Sequence, residues 1–504
     1  LGAARSRRKR SRPPPTMGVM KLDEASGLGG LLKDGTTLAE GVDEAVLRNI
    51  AAVKQLADVV RTSLGPNGMK KLIINHLGKT LVSSDCATIT RELEVVHPAA
   101  QMVALAAKAQ ESEMGDGTNL VVSFAGELLA LAEELLRLGL HTSEVVAGYE
   151  VAYEECRRLV ETSAARSTAA DAREVEAIAE TVVRPVVAAK HEGLESELAL
   201  LVARACATVM KPRPEPPVFK VDQVRVAKIR GGDFAASTVC KGLLIMRDAE
   251  TSVKTATNAK VAVFNCAIEV ASTETKGTVL IRTADELLNY NKTEERALER
   301  AVAEIAAAGV GLVVSNGSIS EMARHFLEKF GLMALRVPSK FDVRRLCQAT
   351  GATALVRLGA PTPEELGRVA RARVVEIAGR TCCVLDQDAD TTSKIATVVL
   401  RAATTSLLDD LERAVDNGVY AVRAVAKDPR LVYGAGAFEA AMASKLRAFA
   451  RDQNGLEQYA AFKFAEAFEC VPRALAENAG RDATEVVAAL RSRHDEAAGD
   501  AAWA

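Results

Sequence analysis

Aromatic side chains are scarce in this chain: 4% of 504 residues, with a single Trp. That argues against a carbohydrate-binding or base-stacking surface, because both need aromatic platforms. No apolar run reaches the roughly 18 residues a membrane span requires, so no membrane role is expected. The nine cysteines are scattered, only Cys382 and Cys383 being adjacent, and no CxxC spacing occurs. The six histidines are equally dispersed, with no HExxH. Both absences point to a reducing compartment without a zinc site, and no apolar run follows the basic N-terminus as in a signal peptide. The expected location is therefore cytoplasmic. The Walker A pattern GxxxxGK[ST] and an obvious Ser/His/Asp set are absent too.

What is present is ordinary for a globular protein of about three domains: 48% apolar and 26% charged residues. Charge is unevenly placed. Residues 1–16 carry six basic residues and no acid, so the body holds −8, the −2 of the chain less those six. A mildly acidic body does not suit a nonspecific nucleic-acid binder. The basic segment resembles a nuclear-localisation run, but the sequence opens on Leu. Residues 1–16 are read as a non-native or disordered stretch upstream of Met17 or Met20.

The periodicity predicts a helix over about 43–64, stopped by Gly65-Pro66-Asn67-Gly68. A strand pair follows at 71–75 and 80–83, then helices over about 97–112 and 118–138. The texture stays helical through about 215, where Lys211–Pro217 forms a proline-rich junction. Strand-like runs then alternate with helices at about 283–308 and 319–330. Phe341–Cys347 reads as an amphipathic helix. Short strands at 373–376, 381–385 and 396–400 lead back to helices from about 405. Helical, then α/β, then helical suggests a domain that the chain leaves and re-enters.

Four short motifs are candidates for chemistry. Gly115-Asp116-Gly117-Thr118-Asn119 opens an amphipathic helix. Its glycines allow close backbone approach to a phosphate, and a helix N-terminus favours an anion. An Asp beside a phosphate needs a cation between them, so Asp116 is a candidate Mg²⁺ ligand. A plain Asp-Gly turn capping a helix reads the same way. Gly65–Gly68 could wrap phosphate oxygens with its amides, or simply stop a helix. Asp85, after a strand and before Cys86-Ala87-Thr88-Ile89, could reach a metal or a water, or cap a helix. Gly434-Ala435-Gly436-Ala437 could lie along a nucleotide sugar, or only close a loop.

Taken together and in this order, these motifs resemble those of a group II chaperonin. Further similar stretches include Arg91–Ala100, Thr273–Leu280, Gly455–Ala460 and Phe464–Glu469, and the resemblance runs from about Gly30 to about His494. It implies a multidomain α and α/β chaperonin fold: a helical equatorial domain, a small α/β intermediate domain, and an α/β apical domain with a helical protrusion. The expected bounds are 17–147 and 406–504 (equatorial, ATP-binding), 148–215 and 371–405 (intermediate), and 216–370 (apical, substrate-binding).

The resemblance also implies ATP and Mg²⁺ as cofactors and two stacked eight-membered rings with other subunits. Clients would be unfolded proteins such as actin and tubulin, enclosed by ATP-driven lid closure. It implies Gly65, Pro66 and Gly68 in the nucleotide loop, and Asp116 on the metal with Gly115, Gly117, Thr118 and Asn119 around the phosphates. Asp85 would stand near the attacking water beside Ala87 and Thr88, with Gly434 and Gly436 on the ribose side.

Two departures matter. The family places a further catalytic Asp in a pattern like Glu-Arg-x-x-x-Asp, and here Asn417 ends Glu412-Arg413-Ala414-Val415-Asp416-Asn417. An amide cannot take a proton from water as a carboxylate can. Asp416 points about 100° away on a helix, so it cannot replace it directly. A subunit that shapes the ring with little or no hydrolysis of its own is the alternative this raises. A metabolic enzyme would need a catalytic set within 216–370, and none is evident. Secondly, the family continues several dozen residues past His494, whereas 495–504 show no such pattern, so the C-terminal part reads as truncated.

Overall fold

The structure is a computed structural model. It describes residues 19–21, 37–39, 42–75, 78, 80–163, 166–167, 175–191, 193–210, 220–269, 284–387 and 395–496. The basic opening segment, the 211–217 proline cluster, the 273–280 stretch and residues 497–504 lie outside them.

The helix Val42–Arg61 buries Ile50, Val53, Leu56, Ala57 and Val60, the stripe that three- and four-residue spacing demands. It lies against Thr118–Arg137, where Gly126 lets Ala57 approach. Pro98–Met114 completes this layer, with a Pro at its first turn and Gly115 at its C-cap. The hairpin Lys71–Ile74/Thr80–Ser83 is antiparallel, with Leu72 opposite Val82.

Chain ends meet in one core. Ala152 of the helix Thr142–Ser163 packs with Met442, Leu446 and Phe464 of Ala437–Asp452 and Glu457–Ala467. Helices from the first and last parts of the described chain therefore share a core. The helix runs unbroken through the expected 147/148 junction.

Two α/β units lie between. In the smaller, the strand Ala396–Ala402 is central, parallel to Val224–Arg230 and antiparallel to Thr238–Cys240. Its core joins Glu195–Val209 and Leu408, Leu411 and Val415 of Thr405–Lys427. The larger is a seven-stranded mixed sheet in the order Met333–Arg336, Val310–Ser315, Thr255–Phe264, Gly367–Ile377, Arg380–Asp386, Gly242–Ile245, with Ala354–Leu355 beside Thr255–Phe264. Its central strand is buried on both faces. Val261 and Val263 enter one core, and Ala262 and Phe264 the other, as the two-residue period requires.

Strand pairing cuts across two expected junctions. Residues 224–240 pair with 396–402, so they share the smaller unit and not the sheet of 242–386. The 370/371 junction falls inside Gly367–Ile377, which pairs with Thr255–Phe264 on one side and Arg380–Asp386 on the other. Composition cannot reveal this, because a strand's partner is chosen by long-range register and not by its own residues. Among the described residues, no helix is long and apolar enough to cross a membrane. All nine cysteines are unpaired thiols.

Candidate nucleotide site

The loop 115–117 joins the helices Pro98–Met114 and Thr118–Arg137. Gly115 sits at φ 77° and Gly117 at φ 79°, both left-handed. A Cβ on Gly115 would stand 2.3 Å from Tyr420 Cγ, so only glycine fits. Gln110 Nε2 donates to Asp116 O at 3.0 Å and braces the loop from below. No side chain caps the N-terminus at Thr118, which leaves the end of that dipole for an anion.

Asp85 caps the helix Cys86–Glu92 and accepts from Thr88 N at 3.1 Å and Thr88 Oγ1 at 2.8 Å. Ala87 and Thr88 are buried in its first turn. Lys190, 105 positions away, places its ammonium 3.2 Å from Asp85 Oδ1 and 3.7 Å from Asp116 Oδ1. Burial alone would raise the Asp85 carboxyl. Lys190 and the hydrogen bonds from Thr88 and Lys190 outweigh it and hold the group below its ordinary range. Burial, with Asp85 adjoining, pushes the Cys86 thiol up to about 12, which makes it inert.

Asn417 reaches the same point from the helix Thr405–Lys427. In the amide orientation that satisfies its neighbours, its NH₂ donates to Gly115 O (2.8 Å) and Arg413 O (3.0 Å), and its oxygen accepts from Lys190. Gly418 makes room for this helix to lie against Val183 and Val202. Asp416 lies one turn from Glu412, on the helix face that Lys228 of the strand Val224–Arg230 meets.

The loop 65–68 is a tight turn, with Gly68 N donating to Gly65 O at 3.0 Å. Asn119 Nδ2 donates to Val60 O (3.2 Å) and Ser63 Oγ (3.1 Å), and Ser123 Oγ donates back to Asn119 Oδ1. Its amide thus ties the start of the helix Thr118–Arg137 to the C-terminal end of Val42–Arg61, from which the 65–68 loop leaves. Asn478 Nδ2 donates to Arg61 O and Leu64 O from the far side. Gly65 lies against Leu475 and Gly436 against Pro472. Those two residues are one turn apart on Cys470–Asn478, so this helix backs both the 65–68 loop and the Gly434–Ala437 turn.

Asp85, Asp116 and Asn417 therefore converge on one cation, Lys190, and Gly115 joins them through the Asn417 amide. Asn119 links the 115–119 loop to Val60 and Ser63, just ahead of the Gly65, Pro66 and Gly68 loop, while Gly436 is joined to Gly65 only through Cys470–Asn478 and Gly434 touches neither. Lys190 is the residue that sequence reading missed. Its signal was one cation at the end of an Ala- and Val-rich helical run, indistinguishable from a solvated surface lysine. Among the described residues, no cluster of three or more His, Cys, Asp or Glu could hold a metal by itself. Mg²⁺ needs only one or two carboxylates when phosphate oxygens supply the rest. Two carboxylates already share a cation here, and Gly115 beside them tolerates no Cβ, so the residues fit Mg²⁺ with a phosphate chain.

Such a layout, with early and late helices in one core and glycine loops beside a cation-bridged acid pair, is the one the motifs led one to expect of a chaperonin. The chain belongs to the TCP-1/cpn60 chaperonin family, whose model matches residues 56–503. It is 47% identical over 472 residues to T-complex protein 1 subunit theta of Arabidopsis thaliana, covering 93% of this chain and 85% of that one. The Dictyostelium discoideum protein of that name is 45% identical over 471 residues, 93% and 86% of the two chains. The Homo sapiens protein is 44% identical over 478 residues, 95% and 86%.

Proposed function

We propose that this chain is a theta-type subunit of a hetero-oligomeric cytosolic chaperonin, and that it binds Mg·ATP between the 65–68 and 115–119 loops. The observation that carries the reading is the meeting of Asp85, Asp116 and Asn417 on Lys190. Other subunits of a double ring of eight-membered rings are its partners, and unfolded proteins such as actin and tubulin its clients.

Bound Mg²⁺ would neutralise phosphate charge and polarise the terminal phosphoryl group. Asp116 would hold the metal, with Gly115, Gly117 and Thr118 turning amides towards phosphate oxygens. Gly65, Pro66 and Gly68 would line the other side of the phosphates, and Gly434 and Gly436 the ribose. Asp85, kept ionised by Lys190 and Thr88, would orient the attacking water. Lys190 would exchange its carboxylate partners for a phosphate oxygen, drawing the smaller α/β unit onto the nucleotide.

Asn417 favours a second reading within the first. Its amide can hold Gly115 O but cannot accept a proton from water, so this subunit would bind ATP and turn it over slowly. The test is equilibrium ATP binding to the full-length chain with Mg²⁺ or with EDTA, in wild type and Asp116→Ala. Binding that needs Mg²⁺ and is weakened at least about tenfold by the substitution supports the reading. Absent binding, or binding indifferent to both, overturns it.

A further inference from the structure

Away from the nucleotide loops, one strand is tied by charge at both ends. Val224–Arg230 is one of the two edge strands of the three-stranded sheet. Near its start, Arg225 Nη2 stands 3.1 Å from Asp342 Oδ1, on the helix Lys340–Thr350 of the large α/β unit. Arg345 Nη1 shares that oxygen at 3.1 Å. Three residues along, Lys228 Nζ stands 2.6 Å from Asp409 Oδ1 and 2.7 Å from Glu412 Oε2. Both carboxylates lie on Thr405–Lys427, the helix that delivers Asn417.

The helix Lys340–Thr350 is anchored in its own unit, with Val343 and Leu346 in the core of the seven-stranded sheet. The helix Thr405–Lys427 is anchored at the other end through Leu411, Ala414 and Val415. A rigid strand between two rigid helices transmits displacement only if its ends are held, and these ion pairs hold them.

Asp416 completes the cluster. It is half-buried, one residue before Asn417 and one helical turn from Glu412, so it shares the helix face that Lys228 meets. With Asp416 ionised, the cluster has four carboxylates (Asp342, Asp409, Glu412, Asp416) against three cations (Arg225, Lys228, Arg345). One proton balances it.

We propose that the strand Val224–Arg230 is an ionic tie between the apical unit and the nucleotide-site helix, with Arg225 gripping Asp342, Lys228 gripping Asp409 and Glu412, and Asp416 setting the tightness of the second grip. The inference rests on the nucleotide reading for the meaning of that helix, but the contacts stand without nucleotide. Burial first, then Glu412, pushes the Asp416 carboxyl up to about 7 against the pull of Arg225 and Lys228. The carboxyl is thus more easily protonated in the folded arrangement than in solution. The tie is tightest where Asp416 keeps its proton and weakens as pH rises through about 7.

Amide hydrogen exchange on the full-length chain without nucleotide tests this at both ends. Asp342→Asn lies in the apical unit, yet it is expected to speed exchange in Thr405–Lys427 roughly threefold or more. Lys228→Met is expected to do the same in Lys340–Thr350. In wild type, protection of Thr405–Lys427, corrected for intrinsic exchange, falls between pH 6 and 8. Asp416→Asn, nearly isosteric and the least disruptive variant, flattens that profile. Changes confined to the mutated unit, or a pH profile unaltered by Asp416→Asn, overturn the proposal. Adding Mg·ATP to the same samples separates the two ideas: failure to protect residues 115–119 counts against the nucleotide reading alone.

Discussion

Lys190 Nζ lies 3.2 Å from Asp85 Oδ1, joining a residue of the smaller α/β segment to one that caps a helix of the first helical layer. The pair is shielded, with side chains 15% and 14% exposed. The relationship serves two ends, keeping Asp85 ionised and clasping two parts of the chain that are distant in sequence.

Lys190→Met leaves Asp85 and Asp116 facing each other without a cation. Loss of about 2 kcal/mol is expected, between the values for exposed and buried pairs, measured by urea denaturation at pH 7. The pH dependence carries a defined sign. Asp85 has a folded-state value below its ordinary 3.8, so its contribution is present above that value and lost as pH falls below it. Wild type should lose this increment in acid, and Lys190→Met should show little of that loss. Equal acid sensitivity in the two proteins would show that Lys190 is not the cause.

Asn417→Asp puts a carboxylate where the family pattern has one. Single-turnover hydrolysis should rise about 100-fold, the usual scale for a positioned base. Stability should fall by about 1 kcal/mol, because a carboxylate cannot donate to Gly115 O or Arg413 O. An unchanged rate would remove Asn417 as the reason for slow turnover.

Glu469 is 1% exposed and is met by Arg447, Arg491 and, at 3.9 Å, Arg473. One buried carboxylate thus joins the helices Ala437–Asp452, Cys470–Asn478 and Ala483–Glu496. Glu469→Ala removes the buried carboxylate that Arg447 and Arg491 share and should cost about 3 kcal/mol, seen as a lowered urea midpoint. A change within 0.5 kcal/mol, the range of ordinary surface substitutions, would mean that the arginines find other partners.

Ala435 is held at φ 59° in the turn before Ala437–Asp452. An L-residue pays roughly 1 kcal/mol for that conformation. Ala435→Gly should recover much of this, and a raised thermal midpoint is the readout. Lowered stability would mean that the Ala methyl group makes contacts worth more than the strain.

Much of the fold was legible in local pattern. The helices at 42–61, 98–114 and 118–137 appear where spacing and punctuation placed them, because an amphipathic stripe and a Gly stop are properties of neighbouring residues. Strands were less legible. Met333–Arg336 and Thr238–Cys240 passed unnoticed, being too short for a pattern of their own and defined by their partners. The site divided in the same way. Asp85, Asp116 and the glycine loops could be named from contiguous motifs, and Asn417 from its departure from one. Lys190 could not, since its meaning lies in two carboxylates 105 and 74 positions away, as its number and theirs record.

The sequence by itself determined which helices form, which loops turn on glycine, that family motifs stand in order, and that an amide replaces a carboxylate at 417. Those are matters of residue type and short spacing. Only the tertiary structure decided which strands share a sheet, that Lys190 stands between Asp85 and Asp116, and that Asp416 shares the helix face that Lys228 meets while Asn417 beside it meets Lys190. The physical reason is the same in each case: charge and hydrogen bonding act through a few ångströms of space, and the chain brings those ångströms together only when it folds.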